Sequence, residues 1–387
     1  MNQTNRLGVS PDDQAVADAV ARLATETLAP RAREIDEHGL STTCHVPQLA
    51  ALGVMGMNLP EQLGGAGVTP TAMLLSLVEI SRACAATSSM IGAHYLGTDA
   101  VLIGGSPEQH ARWLPRAASG EWLAGFALTE PRGGSHPADL RTRAVREGEH
   151  YRIDGVKHFI SNAKEARFLV VFAKTDPEAG ARGVSAFVVE TDSPGISISS
   201  PEKLMGIQGA HAFEVAFDGV RVPAANRLGA EGTGFKTAMK VLEKGRIHIA
   251  AVAVGVAKRM LRDALAYSLE RKQFGQAICD FQLVQAMLAD SQAELYAAEC
   301  MTLDAARRRD DGQNVSTEAS CAKMFATEMC GRVADRAVQI LGGAGYMEEY
   351  GIERFYRDVR LFRLYEGTTQ IQQIIIARNM VREARDA

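Results

Sequence analysis

Proline divides this chain more sharply than any other residue. All 13 prolines lie at or before Pro223 in a chain of 387 residues, and none follows it. Inside a helix a proline removes one backbone donor, and its ring strikes the carbonyl four residues back. The proline-free stretch is therefore free to run as long helices wherever apolar residues recur at helical spacing. Val284, Leu288 and Leu295 mark one such face, and Phe325, Met329, Val333 and Ala337 mark another. A gently supercoiled bundle buries stripes of this kind.

The chain before the bundle falls into two parts. Residues 1–121 have helical patterns at 14–35, with a kink or break at Pro30, and again at 46–52, 71–84 and 89–103. Pro107 sits at a helix start, where its missing N–H costs nothing, and residues 59–65 form a turn-rich loop. Residues 122–228 are strand-like. Tyr151-Arg152-Ile153, Asp154-Gly155 and Val156-Lys157-His158-Phe159-Ile160 predict a hairpin closed by a tight Asp-Gly turn. Residues 168–173 and 184–189 read as short buried strands, and 214–222 holds a second Asp-Gly at 218 and 219. Residues 229–387 form the bundle. Helices, then strands, then helices argue for separate layers rather than a βαβ sheet. No strand leads into a G-x-G-x-x-G turn, so a Rossmann nucleotide site is not expected.

Composition excludes several classes. The apolar fraction of 46 % is that of an ordinary globular protein, and a formal charge of -4 gives no basic field for nucleic acid or anionic lipid. The polar first residues, 1–13, lack an apolar signal core. No charge-free apolar run approaches the ~20 residues of a membrane span. The six cysteines are scattered without the close pairs of a zinc site, which predicts a reduced, cytoplasmic protein without a structural metal. Arg307, Arg308 and Arg309, followed by Asp310, Asp311 and Gly312, read as a solvated helix end.

The strongest candidate for chemistry is Glu366, in Tyr365-Glu366-Gly367-Thr368-Thr369-Gln370 ahead of an apolar helix with Ile371, Ile374 and Ile375. By itself it is a carboxylate favoured by a helix dipole, with Thr368 as a plausible N-cap. Other stretches have equally plain local readings. Thr129-Glu130-Pro131 with Gly133-Gly134 is a strand-to-turn connection, though small residues there expose donors able to hold a ring or a phosphate. Arg246 is a helix-face arginine paired with Glu243 at i, i+3. Arg271 is a surface arginine, and Gln339 with Gly342-Gly343 is a helix C-cap and turn.

Taken together and in order, six stretches resemble the acyl-CoA dehydrogenase family of flavoenzymes over residues 11–382. They are Leu128-Thr129-Glu130-Pro131-Arg132-Gly133-Gly134-Ser135, Lys157-His158-Phe159-Ile160-Ser161-Asn162, Arg271-Lys272-Gln273-Phe274-Gly275, Asp280-Phe281-Gln282, Gln339-Ile340-Leu341-Gly342-Gly343-Ala344-Gly345-Tyr346 and Tyr365-Glu366-Gly367-Thr368. The resemblance implies an α+β, mostly α fold: an N-terminal helical domain (1–121), a middle antiparallel β domain (122–228) and a C-terminal four-helix bundle (229–387). It implies FAD as cofactor and a homotetramer. It places Phe126, Leu128, Thr129, Ser135, Phe159, Ile160 and Ser161 around the flavin ring. Arg271, Gln273, Phe274, Phe281 and Gln282 fall near the nucleotide. Gln339, Gly342 and Gly343 come from a neighbouring subunit, and Thr368 and Gln370 complete the FAD contacts. A guanidinium at 271 suits the pyrophosphate because it can donate two parallel hydrogen bonds.

For the substrate, the resemblance implies an acyl thioester of coenzyme A or a carrier protein, held near Ser135, Glu243, Arg246 and Gly367. Glu366 would take the α-proton while its N–H helps hold the thioester carbonyl oxygen. Electron-transfer flavoprotein is the implied electron acceptor, or oxygen in oxidase relatives. Some members carry their base on the helix that here holds Gly245, so Glu366 has no competitor. Met90, Gly92, Tyr95 and Leu96 are expected near the acyl floor, and the overall likeness leans to short- and branched-chain members. The chain departs from the family pattern at Arg132, His136, Pro137, Phe159, Gln208, Ala210 and His211, several of which lie near the entry of the thioester carrier. Other readings are a flavin oxidase or monooxygenase, and a scaffold that has lost FAD. The retained Thr129, Ser135, Arg271, Gln339 and Glu366 argue against the last.

Overall fold

The computed structural model describes residues 8–386. The polar start expected at 1–13 therefore lies partly outside the described residues.

The first region is helical. α1 (Pro11–Leu23) is capped by Ser10, whose hydroxyl accepts the Asp13 N–H at 3.1 Å. The break expected at Pro30 takes the form of a π turn, Ala24–Leu28, leading into α2 (Ala29–His38), where the proline occupies the first turn and needs no donor. α3 (Val46–Ala51), α4 (Pro70–Ala83), α5 (Ala85–Gly104) and α6 (Pro107–Ala118) follow. α6 opens on a capping box of Ser106 and Gln109. α5 carries one carboxylate in its 20 residues, Asp99, and it is buried.

The middle region is one sheet. Its strands are β1 (Leu123–Ala127), β2 (Arg143–Glu147), β3 (His150–Ser161), β4 (Ala166–Lys174), β5 (Val184–Glu190), β6 (Ile196–Ile198), β7 (Ala212–Pro223) and β8 (Arg227–Leu228). The order is β6-β7-β3-β2-β4-β5-β8, with β1 beside β4. Most pairs are antiparallel as expected, but β1 runs parallel to β4, and β2 meets β4 through one parallel bridge. The expected hairpin is corrected. Residues 151–160 form a single strand, and β2 turns into β3 around Gly148. Asp154-Gly155 is instead a bulge facing the second Asp-Gly in β7: the Asp154 carboxylate accepts the Gly219 N–H at 2.8 Å. Glycine is needed at 155 because a Cβ would lie 2.6 Å from the Thr142 Cα.

The proline-free region forms α7 (Gly234–Glu270), α8 (Gln282–Asp310), α9 (Ser316–Leu341), α10 (Ile352–Phe362) and α11 (Thr369–Asp386). α7, with 37 residues, packs on α4, α5, α8 and α9, and its middle is buried on every side. The predicted stripes face inward: Leu295, Met329, Val333 and Ala337 are buried, while Val284, Leu288 and Phe325 are half-buried.

A strap joins the three regions. Between β6 and β7 the chain passes between the first and last regions, where the Ile207 N–H donates to Asp358 of α10 at 2.5 Å. The Gly209 carbonyl accepts the Thr42 N–H and hydroxyl at 3.0 and 3.1 Å. Arg357 pairs with Asp36 at 2.6 Å beside it. Cβ atoms at Gly206 and Gly209 would fall 2.6 Å from the Arg357 backbone and 2.3 Å from Ile35.

Candidate active site

The turn between α10 and α11 sets the centre of the site. Tyr365 stacks on Phe362, with ring centroids 6.0 Å apart and planes 13° apart. Glu366 and Gly367 then take positive φ angles of 52° and 91°. That conformation is costly for glutamate and free for glycine. Two buried donors hold it. Lys323 of α9 donates to the Gly367 carbonyl at 2.8 Å, and Gln372 of α11 donates to the Glu366 and Gly367 carbonyls at 3.3 and 2.9 Å. Thr368 caps α11 by accepting the Ile371 N–H at 3.3 Å. Neither Lys323 nor Gln372 was marked by the sequence reading, yet Lys323 shares the phase of the buried stripe on α9, where a lysine is out of place.

The turn drives the Glu366 side chain against α7. A Cβ at Gly245 would lie 1.9 Å from Oε2 of Glu366, and 3.1 Å from Leu96 of α5. This Oε2 is shielded from solvent and has no hydrogen-bond partner among the described residues. Burial pushes the Glu366 carboxyl up to about 7, against the pull of Lys323 and Arg246 and with the help of Asp99. Arg246 is itself buried, and its Nε is unpartnered. The ion pair with Glu243 expected from their spacing does not form. Glu243 is half-buried and influences Arg246 from a distance, as does Glu366.

Beneath this point lies a buried polar floor. Lys244 Nζ pairs with Asp99 at 2.5 Å and donates to the Asn58 carbonyl at 3.1 Å, while the Asn58 amide donates to Asp99 and Thr98, each at 2.9 Å. Arg309 corrects the solvated-end reading of residues 307–309. It is half-buried and faces Asp99 and Glu243, whereas Arg308 stays outside and pairs with Asp304 at 2.8 Å. His94 bridges α5 to the sheet: its Nδ1 accepts the Ala124 N–H at 3.1 Å, and its Nε2 faces the Met55 carbonyl at 3.2 Å. Burial lowers this imidazole to about 4, so it works neutral. Of the four residues expected near the acyl floor, Gly92 and Leu96 look into open or half-open space. Met90 and Tyr95 are core residues, Tyr95 donating to the Val54 carbonyl.

The residues expected around a flavin sit on a braced frame. Lys157, fully buried, donates to the Leu128 carbonyl at 3.1 Å and to Glu130 at 2.8 Å. Glu130 also accepts the Arg141 N–H, the Thr142 N–H and the Thr142 hydroxyl. The His158 N–H fixes the Thr129 carbonyl at 2.9 Å. Phe159, at φ 58°, is thrown outward to 59 % exposure and stacks on His158. Thr129 and Ser161 are half-buried, Ser135 is exposed and Phe126 rests on Phe172. The Ile160 and Leu128 side chains are buried in the core, which leaves their backbones to meet a ligand.

A second group gathers at one end of the bundle. Arg271, Gln273 and Phe274 lie on a small hairpin of β9 (Lys272–Gln273) and β10 (Gln276–Ala277), all exposed, with Phe274 at 94 %. Phe281 meets Phe274 edge-on at 6.1 Å, and Gln282 is exposed. Gln339, in the last turn of α9, and Gly342 and Gly343, on the α9–α10 connection, are exposed, and the Tyr267–Tyr350 contact at 5.9 Å brings that connection to the same end. Gln370 is exposed on α11. Two of the departures turn inward: Gln208 donates to the Leu204 carbonyl, and His211 meets the Gly39 carbonyl at 2.9 Å. They hold the strap. Arg132 and His136 are exposed. Among the described residues no cluster of metal-ligating side chains occurs, and no helix is long and apolar enough to cross a membrane.

Three family models match in series: acyl-CoA dehydrogenase N-terminal domain over residues 10–121, middle domain over 125–220 and C-terminal domain over 232–381. The chain is similar to a probable acyl-CoA dehydrogenase, YngJ, of Bacillus subtilis, with 40 % identity covering 97 % of this chain and 99 % of the relative. Butyryl-CoA dehydrogenase from Megasphaera elsdenii superposes with a TM-score of 0.94 at 33 % identity, covering 96 % of this chain and 99 % of that one. The prolyl acyl carrier protein oxidase AnaB superposes with a TM-score of 0.93 at 30 % identity and the same coverage.

Proposed function

The chain belongs to the acyl-CoA dehydrogenase family of flavoproteins, oxidoreductases acting on CH–CH bonds, and we propose that it desaturates a short- or branched-chain acyl-CoA between its α and β carbons with Glu366 as base. The observation that carries the reading is the Glu366 carboxylate, held by a strained turn with one oxygen unpaired and shielded against Gly245.

The residues present suit FAD. Phe159 offers an exposed aromatic face, Thr129 and Ser161 offer hydroxyls, and the Gly133 position has open space around it. Phe126, Ser135 and the backbones of Leu128 and Ile160 complete that face, with Thr368 and Gln370 beside the base. Arg271, Gln273, Phe274, Phe281, Gln282, Gln339, Gly342 and Gly343 suit the nucleotide of a neighbouring subunit's cofactor. Bound FAD supplies an acceptor for the β-hydride.

The protein's part is to place and move a proton. Glu366, ionised, removes the α-proton, a contribution of typically ~10²–10⁴-fold. A raised carboxyl makes a stronger base near neutral pH. The Glu366 N–H would hold the thioester oxygen, as an oxyanion hole does. Arg246 adds positive charge beside the developing enolate, and Gly92, with open space at its Cβ position, leaves room for a small acyl group. Phe274, Leu283 and Tyr346 are each highly exposed apolar side chains of the kind that a second copy covers, supporting a homo-oligomer, a tetramer in the family pattern. Electron-transfer flavoprotein is the proposed acceptor.

A carrier-protein thioester is the second reading, favoured by the similarity to AnaB and by exposed Arg132 and His136. Anaerobic bleaching of the flavin with graded acyl-CoA and matching carrier-protein thioesters tests both. Glu366→Gln should keep its flavin and lose turnover, and an active variant sinks the base assignment. Fast reoxidation by oxygen would move the protein to the oxidases.

A further inference from the structure

Lys323 is a fully buried lysine on α9 for which packing alone gives no reason. Burying an ammonium is costly, and a methionine of similar length would fill the same space. Its one hydrogen bond among the described residues is to the Gly367 carbonyl, at 2.8 Å. That carbonyl and its neighbour at 366 point into the bundle because both residues have positive φ. Gln372 collects them from α11, and Lys323 collects Gly367 from α9.

We propose that Lys323 is a positioning residue for the base: it pins the 366–367 turn so that the carboxylate faces Gly245, and it supplies the positive charge that keeps Glu366 ionised at neutral pH. The inference rests on Glu366 being the base. The charged groups facing that carboxylate come from each element around it: Lys323 from α9, Arg246 from α7 and Asp99 from α5. Tyr365 adjoins it on the same turn, with its hydroxyl buried beside Ser89. Lys323 in turn faces Glu366, Arg246 and Glu328. Glu328 is already engaged, accepting the Thr369 hydroxyl at 2.6 Å and Arg363 at 3.2 Å. Neither cation forms a direct ion pair with Glu366, so Lys323 acts through its field and through the carbonyl it holds. Burial lowers the ammonium to about 8, so it stays mostly charged where the base must be ionised.

The test is the pH profile of the reductive half-reaction, followed by anaerobic flavin bleaching in the holoenzyme. Lys323→Met should keep its flavin and shift the acid limb upward by about one pH unit. Its rate at pH 6.5 should fall at least roughly 10-fold and recover only in part at high pH, where the lost charge no longer matters but the turn is no longer pinned. Lys323→Arg, which keeps the charge, should hold the midpoint within about 0.3 unit. An unshifted midpoint in Lys323→Met overturns the proposal even if the variant melts earlier, since a merely structural lysine changes stability and not the profile. If Lys323→Met does not fold, Lys323→Gln carries the same measurement, with a neutral amide still able to reach the carbonyl. Turnover by Glu366→Gln would instead sink the base reading itself. An inactive Glu366→Gln with an unshifted Lys323→Met sinks this inference alone.

Discussion

Gly245→Ala separates stability from activity at one position. The new methyl carbon would stand 1.9 Å from Oε2 of Glu366, where ordinary contact begins at 3.4 Å. The helix backbone at 245 is fixed by packing on both sides, so the carboxylate, at the end of a flexible side chain, gives way by about 1.5 Å. Misplacing a reacting group by about 1 Å can cost ~10²-fold, so flavin bleaching at saturating substrate should slow by roughly ten- to a hundred-fold. The fold should not suffer, because alanine is better than glycine in a helix interior by ~0.5–1 kcal/mol. The assay is a stopped-flow trace beside a thermal melt. A variant within twofold of the wild-type rate would refute the claim that position 245 sets the carboxylate.

Other outcomes follow from the same geometry. The rate should rise with pH through about 7, because the base must lose its proton and burial holds its carboxyl there; a profile flat from pH 5 to 8 contradicts this. Asp358 is raised by burial to about 6, above its unfolded value, so its contribution to stability is full below about pH 4 and is lost as pH rises through 6. Asp358→Asn keeps an acceptor for Ile207 and should gain on the wild type by ~2–3 kcal/mol between pH 4 and 7.5, whereas a pH-independent difference in denaturant melts counts against it. Lys244→Met leaves Asp99 buried without its direct ion-pair partner and should cost ~3–5 kcal/mol, with a loss under about 1 kcal/mol excluding that pairing as important.

What could be read from the residues depended on whether their cause was local. The break at Pro30, the cap at Thr368 and the helix starts at Pro107 and Pro70 rest on backbone chemistry within a few positions, and they were legible or follow local rules. The Asp-Gly at 154–155 misled because the same dipeptide serves a tight turn and a bulge. The choice was made by Thr142, just before the neighbouring strand β2, which leaves no room for a side chain. The Glu243–Arg246 pair failed for a similar reason: i, i+3 spacing permits the contact, but the buried environment turns the guanidinium elsewhere. Lys323, Asp99 and Lys157 carried a faint mark, each being a charge within an apolar pattern, but their partners come from other elements. Ile160 shows the limit of a motif, which marks a stretch without saying whether side chain or backbone faces the ligand.

The strap between β6 and β7 bears on how this molecule can come apart. Its glycines leave no gap against Ile35 on one side and the Arg357 backbone on the other, so the outer two regions share a wall lent by the middle one. Cutting the chain at either border would strip a face from all three pieces at once. Heat or denaturant should therefore meet one cooperative unit rather than three beads, and any exchange of regions between homologues must carry a matching wedge.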